Sequence, residues 1–189
     1  MSISRLCSAL LLALTVSHQA YAATYNVDAY DNSIAQGVGS GLDTITLNAG
    51  DVFNISVSVD DLWSAGALPR FSTADGLNGN LYATATDDSG EAVGTLIGIN
   101  YGPVTMDGFT ANFGQLVGRI GSTYIALGTS YSGVAAESGV LKLYYWDSNF
   151  GDNAGKIAVN VTTVPEPENA AMLFAGLAAI SLLAKRKSR

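Results

Sequence analysis

Val52-Phe53-Asn54-Ile55-Ser56-Val57-Ser58-Val59 is the most regular stretch of the chain. Phe53, Ile55, Val57 and Val59 alternate with Asn54, Ser56 and Ser58. Successive side chains on a strand point to opposite faces, so this alternation means a strand with one buried and one wet face. The turn-forming run Asn48-Ala49-Gly50-Asp51 precedes it, and Asp60-Asp61 follows.

Working outward, similar short segments recur on both sides. Strands are expected at 25–30, 44–47, 81–86, 93–99, 113–120, 123–127, 140–146 and 156–161. Residues 31–42, 60–80 and 100–112 read as loops, the second packed down by Trp63 and Phe71, and Asp87-Asp88-Ser89-Gly90 reads as a turn. No segment carries a convincing helical period between residues 23 and 161, and no fixed-period repeat is present. Short strands with turn signals between them predict an all-β sandwich or barrel.

Composition then excludes several chemistries. The only cysteine is Cys7 and the only histidine is His18, both in the N-terminal leader described below. Without them the exported part has no Ser-His-Asp or Cys-His catalysis, no histidine metal ligand and no disulfide. Between Ala23 and Val164, fourteen acidic and four basic side chains (Arg70, Arg119, Lys142, Lys156) give a formal charge of −10. Such a surface does not bind nucleic acid by neutralising phosphates, but it attracts cations.

Both ends read as targeting segments. Residues 1–22 hold Arg5, an apolar stretch from Leu6 to Val16, and Ala20-Tyr21-Ala22, the pattern of a secretory signal peptide cut after Ala22. Residues 162–168 form a linker containing Pro165-Glu166-Pro167, whose prolines hold the peptide extended. Residues 169–189 carry the apolar run Ala170–Ala184 and a basic end of Lys185, Arg186, Lys187 and Arg189. The basic cluster should stay cytoplasmic, which places the preceding domain outside. The tail resembles the PEP-CTERM sorting signal of Gram-negative bacteria: triplet, short transmembrane helix and basic terminus, in that order. The resemblance implies processing by an exosortase near the triplet, a transient stay in the inner membrane, and a link to exopolysaccharide or biofilm at the cell surface or in the extracellular matrix. An ordinary tail anchor with a proline-rich collar is the alternative.

One loop concentrates oxygen donors. Asp147, Asn149, Asp152 and Asn153 lie within seven residues, with Gly151 and Gly155 beside them. Oxygen-rich, histidine-free loops suit hard cations, above all calcium, and glycines let backbone fold around an ion. The spacing is not an EF-hand, because Ala158 stands where the bidentate Glu would fall. An Asx-rich turn without metal is the alternative.

The stretch from about Leu47 to Val161 resembles the calcium-dependent PA-IL lectin family, a jelly-roll sandwich. The matching pieces are Ala49-Gly50-Asp51-Val52, the Trp63 loop, Gly114–Gly121, and the Asp147 loop leading into Gly155–Val161. The resemblance implies Asp147, Asp152 and Asn153 as side-chain calcium ligands and a carbonyl at or near Gly66 as a backbone ligand, with sugar hydroxyls completing the shell. The loop here is shorter than the family's, Trp146 replaces a polar residue before the Asp, and the histidine that helps bind galactose has no counterpart. Calcium binding therefore carries over more safely than galactose specificity.

Aromatic residues near such a loop can stack on sugar rings, so Trp63 and Trp146, with Asp147, are candidate carbohydrate-binding residues; core packing is the alternative. The pairs Asp60-Asp61 and Asp87-Asp88 could in principle serve glycoside hydrolysis, but each sits beside turn residues and reads better as loop charge. Three functions compete: a non-catalytic calcium-dependent glycan-binding protein, a structural matrix protein without a sugar site, and a carboxylate-based glycosidase. The first is the expectation.

Exported protein should begin at Ala23 and, in a host with the sorting enzyme, end near Pro165-Glu166-Pro167. Intact-mass measurement checks both ends. A chain retaining Met1 contradicts the leader, and one retaining Arg189 beside a trimmed reference protein contradicts the sorting signal.

Overall fold

The alternation from Val52 onward governs the packing. In the computed structural model, which describes residues 21–164, Phe53 is wholly buried, and Ile55 and Val57 point the same way. Val59 departs from the pattern: it is 64% exposed. The strand stops at Ser56, and the amide of Asp61 donates to the Ser58 carbonyl, so the chain has turned before Val59 can reach the core.

Fourteen strands are present among the described residues: β1 (Tyr21–Asp28), β2 (Leu42–Leu47), β3 (Val52–Ser56), β4 (Trp63–Ser64), β5 (Phe71–Ser72), β6 (Leu81–Tyr82), β7 (Leu96–Gly98), β8 (Pro103–Met106), β9 (Phe109–Asn112), β10 (Gln115–Ile120), β11 (Thr123–Ala126), β12 (Ser130–Val134), β13 (Gly139–Trp146) and β14 (Ala154–Val164). One sheet has the order β12-β3-β14-β4-β5, with β1 also paired to β14; a second has the order β11-β10-β13-β2. Phe53, Ile55, Val27, Ile157, Val159 and Val161 from the first sheet meet Leu116, Ile120, Leu141, Leu143 and Tyr145 from the second in one core. Two facing antiparallel sheets around a shared core make an all-β sandwich, as expected.

Several details differ from the expected strand map. Residues 100–112 hold the β8–β9 hairpin, closed by Asp107 and Gly108 at positive φ. Both central residues in the left-handed region is the two-residue hairpin geometry that Asp-Gly favours. The hairpin packs Val104, Met106 and Phe109 against Trp146 and Tyr144 on the outer side of the second sheet. Strand β12 occupies a stretch of small polar residues, Ser130-Tyr131-Ser132-Gly133-Val134, whose pattern carries little periodicity. A single 3-10 turn, Ile34–Gln36, lies in the first loop with Ser33 as its N-cap.

Strand β1 begins at Tyr21, and β14 runs on to Val164, three residues past the expected strand end at Val161. They pair from Tyr21↔Thr163 to Asp28↔Lys156. Cleavage after Ala22 would leave the register from Ala23↔Val161 onward intact. Both ends of the described chain thus emerge at one end of the β1–β14 pair, and the loop between β13 and β14 lies at the other. Among the described residues no helix is long and apolar enough to cross a membrane. The rest of the expected leader, the Pro165-Glu166-Pro167 motif and the expected membrane helix fall outside those residues.

The split fate of the opening stretch is measurable. Phe53→Ala should cost about 3–5 kcal/mol of unfolding free energy by emptying a packed site, whereas Val59→Ala should stay within about 0.5 kcal/mol. Denaturant unfolding checks it, and comparable losses at both positions would contradict the placement.

Candidate functional site

The loop Asp147–Asn153 crosses from β13 in one sheet to β14 in the other, so it is an inter-sheet connection and not a hairpin, and the pairing of β14 aims it. At the start of β14, Ala154 and Gly155 pair with Ser64 and Trp63 of β4, while the Ala29 amide donates to the Gly155 carbonyl. Gly155 is required there. It has φ +86°, and a Cβ would press on Leu62 O and Trp63 Cα, each at 3.1 Å. This close approach brings the turn after Trp63 beside the loop.

Inside the loop, local hydrogen bonds set the shape. Asp147 Oδ1 accepts from the Asn149 amide at 3.0 Å, and Asn149 Oδ1 accepts from Gly151 N at 3.2 Å. Asn149 Nδ2 donates to Asp152 Oδ1 at 3.1 Å. Asn149 therefore braces the loop with both ends of its amide. Asn153 Nδ2 donates to the Ala29 carbonyl at 3.1 Å, which orients the amide and turns its oxygen the other way.

What remains is a group of oxygens without donors. Asp147 is 1% exposed and Asn153 is 7% exposed, yet Asp147 Oδ2 and Asn153 Oδ1 have no hydrogen-bond partner. The buried Tyr145 hydroxyl also has none. Buried polar atoms are almost always paired; the hydroxyl can donate or accept, but Asp147 Oδ2 and Asn153 Oδ1 can only accept and call for a donor or a cation. Burial pushes the Asp147 carboxyl above its ordinary value; the nearby donors at Asn149, Asn153 and Ser148 oppose this, and the Asp152 charge adds to it. Tyr145 is pushed well up by burial, and then by the charges of Asp147 and Asp152, which places its hydroxyl within their field.

Asp152 forms the outer side of the group. Its Oδ2 is 3.1 Å from Arg70 Nη1, and both side chains are substantially exposed. The carboxylate packs so closely on Gly66 that a Cβ there would overlap it, and Gly66 has φ +117°. The Gly66 carbonyl accepts from Ser64 Oγ at 2.9 Å, and the Ala65 carbonyl accepts from Arg70 Nη1 at 3.2 Å. The structure thus gathers Asp147, Asp152, Asn153 and the Ala65–Gly66 backbone at one end of the sandwich. No three His, Cys, Asp or Glu side chains cluster among the described residues. An ion here would take two carboxylates, one amide oxygen, and carbonyl or exogenous oxygens.

Trp63 and Trp146 are corrected by the structure. Both indoles are 0% exposed. Trp63 Nε1 donates to the Gly114 carbonyl at 2.9 Å, and its ring meets Tyr145 edge-on at 4.5 Å. Trp146 Nε1 donates to the Val104 carbonyl at 3.0 Å beneath the β8–β9 hairpin. Neither ring faces solvent, so neither offers a surface to a sugar; satisfied indole N–H groups in dry surroundings are what core packing demands. Two exposed aromatics flank the loop: Tyr30, whose ring meets Phe150 edge-on at 5.4 Å, and Tyr101, in the expected loop 100–112, whose ring lies 5.7 Å from the Arg70 guanidinium. Sequence reasoning missed Arg70 and Tyr101, since neither adjoins the loop in the chain.

The acidic pairs turn out to hold loops. Asp61 Oδ2 accepts from the Ala158 amide at 2.5 Å, and Asp88 Oδ1 from the Leu62 amide at 2.8 Å. Asp61 and Asp88 line an open pocket of about 440 Å³ with Asn26, Phe71 and Lys156. Burial raises the Asp88 carboxyl; the Leu62 amide opposes it and the Asp61 charge adds to it. Asp87 is held down to about 2: burial raises it, but the Ser89 and Thr84 donors outweigh that.

No protein-family model matches the chain, and no curated protein does. The chain is similar to the solved structure of the EclA N-terminal domain, a PllA-like lectin, at 22% sequence identity and a TM-score of 0.47, over 75% of this chain and 95% of that one. A superposition this partial identifies neither a ligand nor a site.

Proposed function

We propose that the chain is an exported, exosortase-sorted surface or matrix protein. Its jelly-roll-like sandwich binds glycan through one calcium ion in the Asp147–Asn153 loop, which crosses from β13 of one sheet to β14 of the other. The observation that carries the calcium site is the pair of buried, unpartnered oxygens, Asp147 Oδ2 and Asn153 Oδ1. Calcium takes six to eight oxygens in flexible geometry, and two carboxylates, an amide and a backbone carbonyl leave room for sugar hydroxyls. Asp147 and Asp152 supply charge, Asn153 a neutral oxygen, and the Ala65–Gly66 turn a carbonyl. Asn149 holds the loop in shape. The function is binding, not turnover. Asp61 and Asp88 each accept a backbone N–H, which commits them to holding loops.

A metal that binds only the folded form stabilises it by about 2.7 kcal/mol at a hundredfold excess over its dissociation constant. The melting temperature of the exported protein should therefore rise with calcium over chelator. Asp147→Ala should remove most of that rise, and Asp87→Ala should leave it. Equal melting temperatures in calcium and chelator would sink the site and leave an ion-free turn. Binding to the host's exopolysaccharide that vanishes in chelator tests the glycan half; binding that ignores chelator contradicts it.

The metal-free state should betray itself by pH. A carboxyl raised above its unfolded value contributes stability that is full below the ordinary carboxylate range and is lost as pH rises through the raised value. In chelator, then, wild-type stability should fall as pH rises from the ordinary carboxylate range upward, a loss that Asp147→Asn lacks. Denaturant midpoints across that range measure it, and parallel profiles for the two proteins would contradict the burial of an unpaired charge.

A further inference from the structure

Arg70 is the positive charge that touches the candidate site. It sits 82 residues away in the chain from Asp152, just before β5, and its Nη1 lies 3.1 Å from Asp152 Oδ2 and 3.2 Å from the Ala65 carbonyl. Its Nε is 3.3 Å from the Tyr101 hydroxyl, and the ring of Tyr101 supports the guanidinium from the side. One nitrogen therefore bridges the Asp147–Asn153 loop and the turn after Trp63. The two oxygens it holds belong to the outer half of the set that would bind calcium. The inner oxygens, Asp147 Oδ2 and Asn153 Oδ1, are left without a donor.

We propose that Arg70 is a tethered cation that fills the outer half of the site when calcium is absent. Calcium settles on the inner oxygens and must take Asp152 and the Ala65 carbonyl from the guanidinium, so Arg70 sets how much calcium the site needs. This inference rests on the calcium site proposed above. The physical case is direct. A monovalent charge about 5 Å from a divalent ion, screened as at an exposed surface, weakens binding by about tenfold. Asp152 is also committed to a charge-assisted hydrogen bond that the ion must break. The Arg70 side chain is 40% exposed and has water to move into, and Tyr101 can hold it there by its ring face. An exported protein meets far more calcium than a cytosolic one, and a built-in competitor suits a site that responds at such levels.

Calcium titration calorimetry on the exported protein tests this at low ionic strength, with Arg70→Gln, Arg70→Met and Arg70→Lys beside wild type. Circular dichroism in chelator verifies that each is folded. The two neutral variants should bind about tenfold more tightly, and the lysine variant should stay near wild type because it keeps the charge. The gain should shrink with added salt. Binding by the neutral variants alone, with none by wild type, also supports competition. Equal or weaker binding by both neutral variants, when wild type binds, overturns the role of Arg70 and leaves the calcium site standing. No binding by any of the four removes the calcium site and this inference with it.

Discussion

The strand β14 is the interaction on which the rest depends. One edge pairs with β1 along eight registered positions, and the other pairs first with β4 and then with β3. A strand shared this way ties the two ends of the described chain together and fixes where its first residues lie. Those first residues, Ala154 and Gly155, are the base of the Asp147 loop. The site is therefore held by backbone ladders on both sides, and its side chains need only the short local bonds of Asn149 to keep their shape. Placing the donors of a site on rigid elements is what lets buried oxygens stay unpaired without the loop collapsing onto them.

The fold was legible where periodicity and burial agree. Phe53, Ile55 and Val57 alternate with polar residues, and the structure buries them all. Val59 fits the same pattern by sequence, and only the local turn at Ser58–Asp61 spoils it, in which Ser58 accepts from the Asp60 and Asp61 amides. The β8–β9 hairpin was legible in principle, because Asp107-Gly108 between Met106 and Phe109 is a strong hairpin signal. Its position beside Gly102-Pro103 hid it among loop residues. Strand β12 had no signal to miss: Ser130, Ser132 and Gly133 have no apolar side chain to show a face, and the strand exists because its backbone pairs with β3.

The site was legible in half. Asp147, Asp152 and Asn153 sit within seven residues, so composition alone brings them into one loop. The resemblance pointed to a carbonyl at or near Gly66, but Arg70 and Tyr101 come to the same place through the β4–β14 pairing and the packing of later loops, and no spacing rule connects them. The tryptophans show the reverse error. A large amphipathic ring next to a polar loop has the same sequence signature whether it stacks on a sugar or plugs a core, and only burial separates the two. Here Gly114 and Val104 carbonyls receive the indole N–H groups, which completes their requirements indoors.

The oxygens left over then narrow the chemistry. Asp147 Oδ2 and Asn153 Oδ1 are both acceptors, so the protein cannot satisfy either with the other while Asp147 is charged. A proton on Asp147 would convert one acceptor into a donor, and burial already moves the carboxyl in that direction. That solution serves in acid and fails as the carboxyl ionises. A cation would satisfy both oxygens at once, gain from the charge of Asp147, and draw in Asp152 as a second carboxylate. Arg70 hydrogen-bonds Asp152 and the Ala65 carbonyl at the outer rim, and Asp147 feels its charge without a contact. The loop thus has an inner demand that a proton or a metal can meet and an outer demand that the protein meets itself. If the acidic domain is exported as proposed, neutral pH and dissolved divalent ions would favour the metal over the proton.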